Sequence, residues 1–321
     1  MTQKLRWGLL LLALLAVPVC SLLTGPLALS WSALWQAPDP MTATVLWQIR
    51  LPRILLAMVA GAGLALCGAL LQNCCRNSLA DPYLFGVVSG AALGATLHQL
   101  VLPHWPGALA FSAFAGSSLA ILLVLVISRL GSGQRLETLL LCGVAISFLF
   151  SALSSALLYI SEPFAANRVM FWLLGSLAQA SYADLQLSVP LLLVLLAVSL
   201  LFRRQLDALL LTDESARSLG VPVTALRLML LLGCAALTAV IVACCGGIAF
   251  IGLMVPHLVR RLFGLSSIAL VLGATGLGAV FLLAVDTLSR SAFPSQELPV
   301  GVLTSAIGSV FFFSLVLRQK L

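Results

Sequence analysis

The chain has 321 residues, of which 61% are hydrophobic and 8% are charged, and its formal net charge at pH 7 is +7. Its mean hydropathy of +1.15 excludes an ordinary water-soluble globular protein, because a core of this size cannot hide so much apolar surface from water. The composition therefore predicts an all-α integral membrane protein. The positive charge follows from membrane topology, so it indicates no nucleic-acid partner.

Long apolar intervals between charged residues predict about ten membrane-spanning helices, since a helix needs roughly 20 apolar residues to cross a bilayer. The first run, residues 8–24, lacks a convincing small-residue cleavage site and is interpreted as an uncleaved first span. The interval 227–257 is too long for one helix and too short for two full ones, so Gly246 and Gly247 are expected to break it. The other spans are expected in 53–76, 81–129 (two spans), 137–162, 184–203, 261–286 and 297–318.

An even number of spans places both termini on one side of the membrane, and the basic residues indicate which side. Of the 17 Lys and Arg residues, most lie inside if the N-terminus is cytoplasmic, as the positive-inside rule requires. Arg50, Arg53, Arg168 and Arg290 are the exceptions. Arg50 and Arg53, in the sequence "IRLPR", are therefore expected to be exposed on the external face.

Small residues recur along the predicted spans and indicate a compact bundle. Gly86, Gly90 and Gly94 repeat at every fourth position, which allows a neighbouring helix to approach closely. The same packing is expected at two further sets of glycines: Gly61, Gly63 and Gly68, and Gly273, Gly276 and Gly278. The eight cysteines show no CxxC spacing and are expected to be packing residues, not a disulfide framework or a metal site.

The chain has no evident energy source of its own. It contains no GxxxxGK[ST] phosphate loop, so it is not expected to hydrolyse nucleotide. An ion-driven carrier usually needs ionisable groups near mid-membrane, and the best candidate, Asp286, lies near the end of its span. A driver on another chain is therefore expected. An ion-coupled secondary transporter is a weaker alternative, and a membrane-embedded enzyme is disfavoured because no HExxH motif and no paired intramembrane carboxylates occur.

Residues 203–227, which we call the coupling segment, form the longest cytoplasmic segment. Thr212 or Asp213 is a suitable helix start, Gly220 suits a helix C-cap, and Pro222 suits the first turn of a following helix. The pattern predicts a helix, a sharp corner and a second helix, a shape suited to docking in a groove of a partner protein. The alternative is an amphipathic connector resting on lipid headgroups.

Five motifs in order resemble the FecCD family, the permease subunits of type II ABC importers for ferric siderophores, haem or cobalamin. The motifs are "IRLPR", "GAGLALCGALLQNCCRNSLADPYLFGVVSGA", "ARSLGVPV", "GGIAFIGLMVPHLVR" and "QELPVGVLTSAIGSVFF". The resemblance covers nearly the whole chain. It implies a single permease domain over 1–321 with both termini cytoplasmic, located in the cell inner membrane.

The resemblance also implies roles for particular residues. Arg50, Arg53 and Arg290 would dock a periplasmic substrate-binding protein, the alternative being side chains that reach lipid phosphates. The cytoplasmic gate would contain Asn77, Ser78 and Leu79, with Ser78 replacing the usual proline, and a second gate segment would lie at 132–137. The ATPase contacts would be Ser215, Ala216, Arg217, Ser218, Leu219 and Gly220. No metal role is assigned to His257.

The function implied is ATP-driven import of a ferric siderophore, with haem or cobalamin as alternatives. The permease is no enzyme and binds no cofactor, since ATP and Mg²⁺ belong to separate cytoplasmic ATP-binding subunits. Its other expected partners are the binding protein, the membrane, and a second copy of this chain or a related permease chain.

Overall fold

The computed structural model describes residues 3–25, 39–101, 108–130, 136–293 and 296–318, and the regular structure in these ranges is helical. The all-α class is confirmed. The helices are α1 (Gln3–Leu23), α2 (Pro40–Thr44), α3 (Leu51–Cys75), α4 (Val87–Val101), α5 (Ala108–Leu130), α6 (Leu136–Ile160), α7 (Pro163–Leu173), α8 (Tyr182–Leu201), α9 (Arg203–Ala208), α10 (Asp213–Ser218), α11 (Val223–Cys245), α12 (Ile251–Phe263), α13 (Ser267–Ser291) and α14 (Val300–Arg318).

Eight helical segments among the described residues are long and apolar enough to cross a bilayer. They are Gln3–Leu23, Pro40–Cys75, Leu109–Leu130, Thr138–Ile160, Tyr182–Leu201, Val223–Cys245, Ser267–Ser291 and Val300–Leu317. Helices α4 and α12 are shorter, with 15 and 13 residues. The count of about ten spans and the cytoplasmic location of both termini stay predictions.

Helix α3 is the centre of the bundle. It is buried along almost its whole length and packs against α13, α11, α12 and α8. It approaches two neighbours closely: a Cβ added to Gly68 would lie 2.0 Å from the carbonyl oxygen of Gly252 in α12, and one added to Gly61 would lie 2.2 Å from that of Gly278 in α13. Two backbones can meet this closely only where side chains are absent, so the small-residue face predicted for α3 is confirmed.

Helices α4 and α5 make a similar contact. A Cβ on Gly90 would lie 2.4 Å from the carbonyl oxygen of Gly116, and one on Gly94 would lie 2.0 Å from that of Ser112. Gly86 differs from the prediction, because it ends the 3₁₀ turn Pro82–Phe85 with φ of 75° and precedes α4. Its role is therefore conformational, since a positive φ is easily adopted only by glycine.

The helix that leads into α3 contains a π-helical stretch. Residues Val45–Arg50 form wider turns between α2 and α3, and Pro52 is the second residue of α3. Proline has no N–H to donate to a preceding carbonyl, which loosens the helix there. The hydroxyl of Tyr182 donates to the carbonyl oxygen of Trp47 at 2.6 Å and so supplies a partner that the helix lacks.

The predicted break at Gly246 and Gly247 is confirmed between α11 and α12. Gly246 has φ of 70°, and Phe250 has φ of 69°, which is uncommon for a residue other than glycine. The hydroxyl of Tyr83 donates to the carbonyl of Ile248 at 2.8 Å and accepts from its N–H at 2.9 Å. The non-helical backbone is thus satisfied inside the protein, as irregular backbone in a membrane protein must be.

Helix α1 is peripheral, with Leu10 and Ser21 its buried residues. Near its first residues, Gln3 Nε2 donates to the carbonyl of Phe263 at 2.8 Å, and Arg6 Nη1 donates to that of Leu262 at 2.5 Å. These two bonds fasten α1 to the end of α12. They also supply partners for carbonyls that a helix end leaves free.

All eight cysteines are free thiols, and five of them are buried. Cys67 Sγ lies 3.6 Å from the carbonyl oxygen of Cys234, and Cys234 Sγ lies 3.8 Å from that of Cys67. These sulfurs fill the contact between α3 and α11, in agreement with the predicted packing role.

Candidate functional site

The predicted docking arginines lie in a charged group that we call the arginine cluster: Arg50, Arg53, Asp286, Arg290 and Glu297. Arg53 Nε donates to Asp286 Oδ1 at 2.9 Å and to Oδ2 at 3.2 Å. On the other side, Arg53 Nη1 donates to Glu297 Oε1 at 3.1 Å, and Nη2 lies 2.9 Å from Oε2. This two-point contact is a strong geometry for arginine and carboxylate. Arg53 therefore joins α3 to α13 and to the segment before α14.

The cluster also holds the C-terminal end of α1. Arg290 Nε lies 3.1 Å from Asp286 Oδ2, and Arg290 Nη2 donates to Ser21 Oγ at 2.6 Å. Arg50 Nη1 donates to the carbonyl of Leu22. A helix C-terminus carries free carbonyls and partial negative charge, so two cations at this end stabilise α1.

The expectation that Arg50 and Arg53 are exposed is wrong. They are 4% and 6% exposed, and Arg290 is 5% exposed. For Arg53 and Arg290 the physical reason is Asp286, which is 0% exposed and whose charge needs cationic partners inside the protein. Arg50 instead donates to the carbonyl of Leu22 at the end of α1. By contrast Arg168 on α7 is exposed. The docking of a binding protein at the three buried arginines stays a prediction.

The predicted gate residues follow α3 directly. Arg76 ends α3 with φ of 47°, and Asn77 Oδ1 accepts from the N–H of Leu79 at 2.9 Å, which closes a tight turn. Leu79 is 59% exposed, and Ser78 is exposed beside it. The gate role of this turn stays a prediction. The second gate segment, 132–137, lies outside the described residues apart from the first two positions of α6.

An open cavity of about 600 Å³ lies beside this turn. We call it the basic vestibule, and its walls are formed by Gln72, Asn73, Arg76, Asn77, Ser78, Leu210, His257, Arg260 and Arg261. Arg260 Nη1 donates to Gln72 Oε1, and Nη2 donates to Asn73 Oδ1 at 3.2 Å. No sequence pattern indicated this grouping, because Gln72 and Arg260 are 188 residues apart.

The coupling segment has the predicted shape. Thr212 Oγ1 accepts from the N–H of Ser215 at 3.2 Å and caps α10, and Gly220 turns the chain with φ of 78° before α11 begins. Ser215, Arg217, Ser218, Leu219 and Gly220 are exposed. Ala216 is 0% exposed, because this face of α10 packs on the bundle, and its predicted contact with an ATPase stays a prediction. The ATPase contacts of the exposed residues stay predictions.

Asp213 joins the coupling segment to the gate turn. Its carboxylate forms an ion pair with Arg76 and accepts from Arg227 Nη2 at 3.1 Å and Nη1 at 3.3 Å. The hydrogen bond from Arg227 and the neighbouring Arg76 hold the pKa of Asp213 below its usual range. Sequence reasoning gave Asp213 only a helix-start role, since Arg76 lies 137 residues away along the chain and no helical spacing relates Asp213 to Arg227.

Asp81, in the loop between α3 and α4, is a buried carboxylate that sequence reasoning missed. It is 8% exposed, and its Oδ1 accepts from the N–H of Tyr83 at 2.8 Å. Its Oδ2 lies 3.0 Å from the position that a Cβ on Gly252 would take. Burial raises the pKa of Asp81 to about 6. The loop therefore places an acid near the start of α12.

Comparisons with known proteins agree over nearly the full length. The model of the FecCD transport family matches residues 9–318. The hemin transport system permease protein HmuU of Yersinia pestis is 41% identical, over 99% of this chain and 96% of that protein. The Fe(3+) dicitrate transport system permease protein FecD of Escherichia coli (strain K12) is 37% identical, over 98% of this chain and 100% of that protein. A solved chain from an inward-facing metal-chelate type ABC transporter superposes with a TM-score of 0.89 at 35% identity, covering 99% of this chain and 100% of its own.

Proposed function

Since this chain belongs to the FecCD transport family, as a multi-pass permease of the metal-chelate, haem or cobalamin type of ABC importer, we propose that it carries a ferric siderophore across the cell inner membrane. Haem is the second candidate, because the relative at 41% identity is named a hemin permease. Cobalamin is the third. The whole chain, 1–321, acts as one permease domain, and ATP with Mg²⁺ acts on separate ATP-binding subunits.

The observation that carries the ATP-driven part of this proposal is the ion pair between Asp213 and Arg76, which links the gate turn to α10. Arg76 also donates from Nε to the carbonyl of Leu209 at 2.8 Å, so the gate turn is fixed to both ends of the loop between α9 and α10. A movement of α10 that follows ATP binding on the partner would pull on residues 77–79. Rigid contacts of this kind transmit domain closure to a gate.

The gate requires a second permease chain, either a copy of this one or a relative. Leu79 is an apolar side chain, 59% exposed, and it follows Ser78 of the vestibule wall in the chain. This exposed leucine would bury its apolar surface by meeting an equivalent leucine across the pathway. Residues 77–79 of two chains would then close the cytoplasmic end.

Docking of the binding protein is proposed at Arg50, Arg53 and Arg290. Glu297 already forms an ion pair with Arg53, and the side chain of Glu297 is 38% exposed. Carboxylates on the binding protein would therefore compete with Glu297 for the same guanidinium. Charged pairs at the rim of such an interface govern orientation and association rate more than affinity.

The cargo is tested with the permease, its ATP-binding subunits and its binding protein reconstituted in proteoliposomes. We expect ATP-dependent uptake of a radio-iron siderophore in preference to haem and cobalamin. Uptake of haem alone would move the assignment to the second candidate. Uptake that needs no ATPase and collapses with a protonophore would overturn the importer and favour an ion-coupled carrier.

Docking is tested separately by binding of the purified binding protein to the assembled complex. Arg50→Gln is expected to slow association, whereas Arg168→Gln, an exposed arginine outside the cluster, is the matched control. Glu297→Gln removes the competing carboxylate and is expected to speed association. Equal rates in the three variants and the wild type would contradict docking at the cluster.

A further inference from the structure

The basic vestibule has an excess of positive charge. Three of its wall residues are arginines, Arg76, Arg260 and Arg261, and none of the described wall residues is acidic. Asp81 lies against Gly252 and is not part of the wall. A cavity with walls of one sign focuses its field on the space inside and concentrates ions of the opposite sign.

The pairing of these cations differs between the two sides of the vestibule. Arg76 is neutralised by Asp213. Arg260 is instead held by amide oxygens of Gln72 and Asn73, which fix its position without cancelling its charge. Among the described residues, no carboxylate lies within ion-pair distance of Arg260 or Arg261.

The support under Arg260 is itself buried. Gln72 and Asn73 are each 3% exposed, and Gln72 Nε2 also donates to the carbonyl of Gly252 at 3.0 Å. Both amides are therefore oriented by the bundle before any ligand arrives. An arginine that served only to keep positive charge on the cytoplasmic side could remain a flexible surface side chain. The guanidinium of Arg260 is instead held in one position at the cavity wall.

We propose that the basic vestibule is a low-affinity exit site for an anionic chelate, recognised through its carboxylate or other oxyanion groups by Arg260 and Arg261. The proposal rests on the proposed function, and it defines the cargo as negatively charged. The volume of about 600 Å³ lies in the range of cavities that hold small molecules. Because the site is open, binding is weak, which allows release towards the cytoplasm.

The test uses the permease with its ATP-binding subunits in nanodiscs, without binding protein, and ferric citrate labelled with radioactive iron as the probe. Equilibrium dialysis at low salt is expected to show weak binding, reduced roughly two- to fivefold by Arg261→Gln. Arg260→Gln is expected to have a similar effect, and Arg260→Lys to retain binding, since it keeps the charge. Arg204→Gln, an exposed arginine of α9 outside the vestibule, is the control with the same change in net charge.

Three results would overturn the exit site. The first is ferric citrate binding that is equal in Arg261→Gln and Arg204→Gln, and the second is equal binding of a neutral ferric trihydroxamate. The third is loss of ATP-binding subunits from Arg261→Gln with ferric citrate binding intact, which would assign the arginine to subunit docking. Failure of the proposed function would appear elsewhere, as uptake without the ATPase, while the dialysis result would still measure anion binding.

Discussion

Replacing Asp286 by asparagine removes the central negative charge of the arginine cluster while keeping the side chain's size. In the wild type this carboxylate lies 2.9 Å from Arg53 and 3.1 Å from Arg290, and it is 0% exposed. In Asp286→Asn the two guanidinium groups, with side chains 7% and 4% exposed, remain buried beside each other. Glu297 is then the one described carboxylate left in the cluster.

The magnitude follows from burial. Removing one partner of a buried ion pair costs about 3–5 kcal/mol, because an uncompensated buried charge is left behind. Glu297 offsets little of this, because a partly exposed pair contributes about 0.2–1 kcal/mol. We therefore expect Asp286→Asn to lower the free energy of unfolding by about 3 kcal/mol or more. Glu297→Gln, the matched control, is expected to lower it by about 1 kcal/mol or less.

The assay is unfolding of the purified permease in nanodiscs, followed by tryptophan fluorescence. Equal stability of Asp286→Asn and the wild type would refute the reasoning, as would a loss in Glu297→Gln as large as that in Asp286→Asn. The experiment also addresses the ion-coupled alternative. A carrier that protonates Asp286 would lose pH-dependent uptake in Asp286→Asn without a large loss of stability.

Three further predictions concern the gate, the helix contact and the buried acid. Asp213→Asn is expected to retain ATP hydrolysis but lose most ATP-driven uptake. Its stability cost is expected to be about 1 kcal/mol, because the side chain of Asp213 is 39% exposed. Glu214→Gln is the neutral control, and unchanged uptake in Asp213→Asn would contradict the link between α10 and the gate turn. The lowered pKa of Asp213 means that its stabilisation is present above its ordinary value of 3.8 and is lost only as the pH falls through the lower folded value. Gly61→Ala is expected to destabilise the protein by about 1–3 kcal/mol, because the added Cβ would lie 2.2 Å from a backbone oxygen. Gly8→Ala, with open space around residue 8, should be neutral. Equal melting temperatures of the two variants would argue against the close contact. Because the folded pKa of Asp81 is raised to about 6, wild-type stability is expected to fall as the pH rises from about 4 through 6, and Asp81→Asn should flatten that dependence in unfolding measured across this range.

Features with local causes could be predicted from the sequence. The break at Gly246 and Gly247, the start of α10 at Thr212 and the corner at Gly220 follow from the conformations and hydrogen bonds that these residue types favour. The apolar intervals likewise predicted the long helices, since their length is set by the bilayer.

Features with distant causes could not be predicted. Arg53 was expected on the surface, and its burial depends on Asp286, which is 233 residues away. The burial of Ala216 could not be predicted either, because a six-residue helix offers too short a pattern to show which side is buried. The wall of the vestibule combines residues near 72–78 with residues near 257–261, and without the fold nothing in the chain connects them.

Helix α1 is fastened at its two extremities, by Gln3 and Arg6 to the carbonyl end of α12 and by Arg50 and Arg290 at its own last turn. Its middle is mostly exposed to the surroundings of the bundle. The distance between these two sets of contacts is therefore set by the number of residues in the helix. Substituting one apolar residue for another among its outward leucines should not change stability. Deleting a single residue from the middle of α1 would rotate and shorten the helix, so that the contacts at its two ends could not form together.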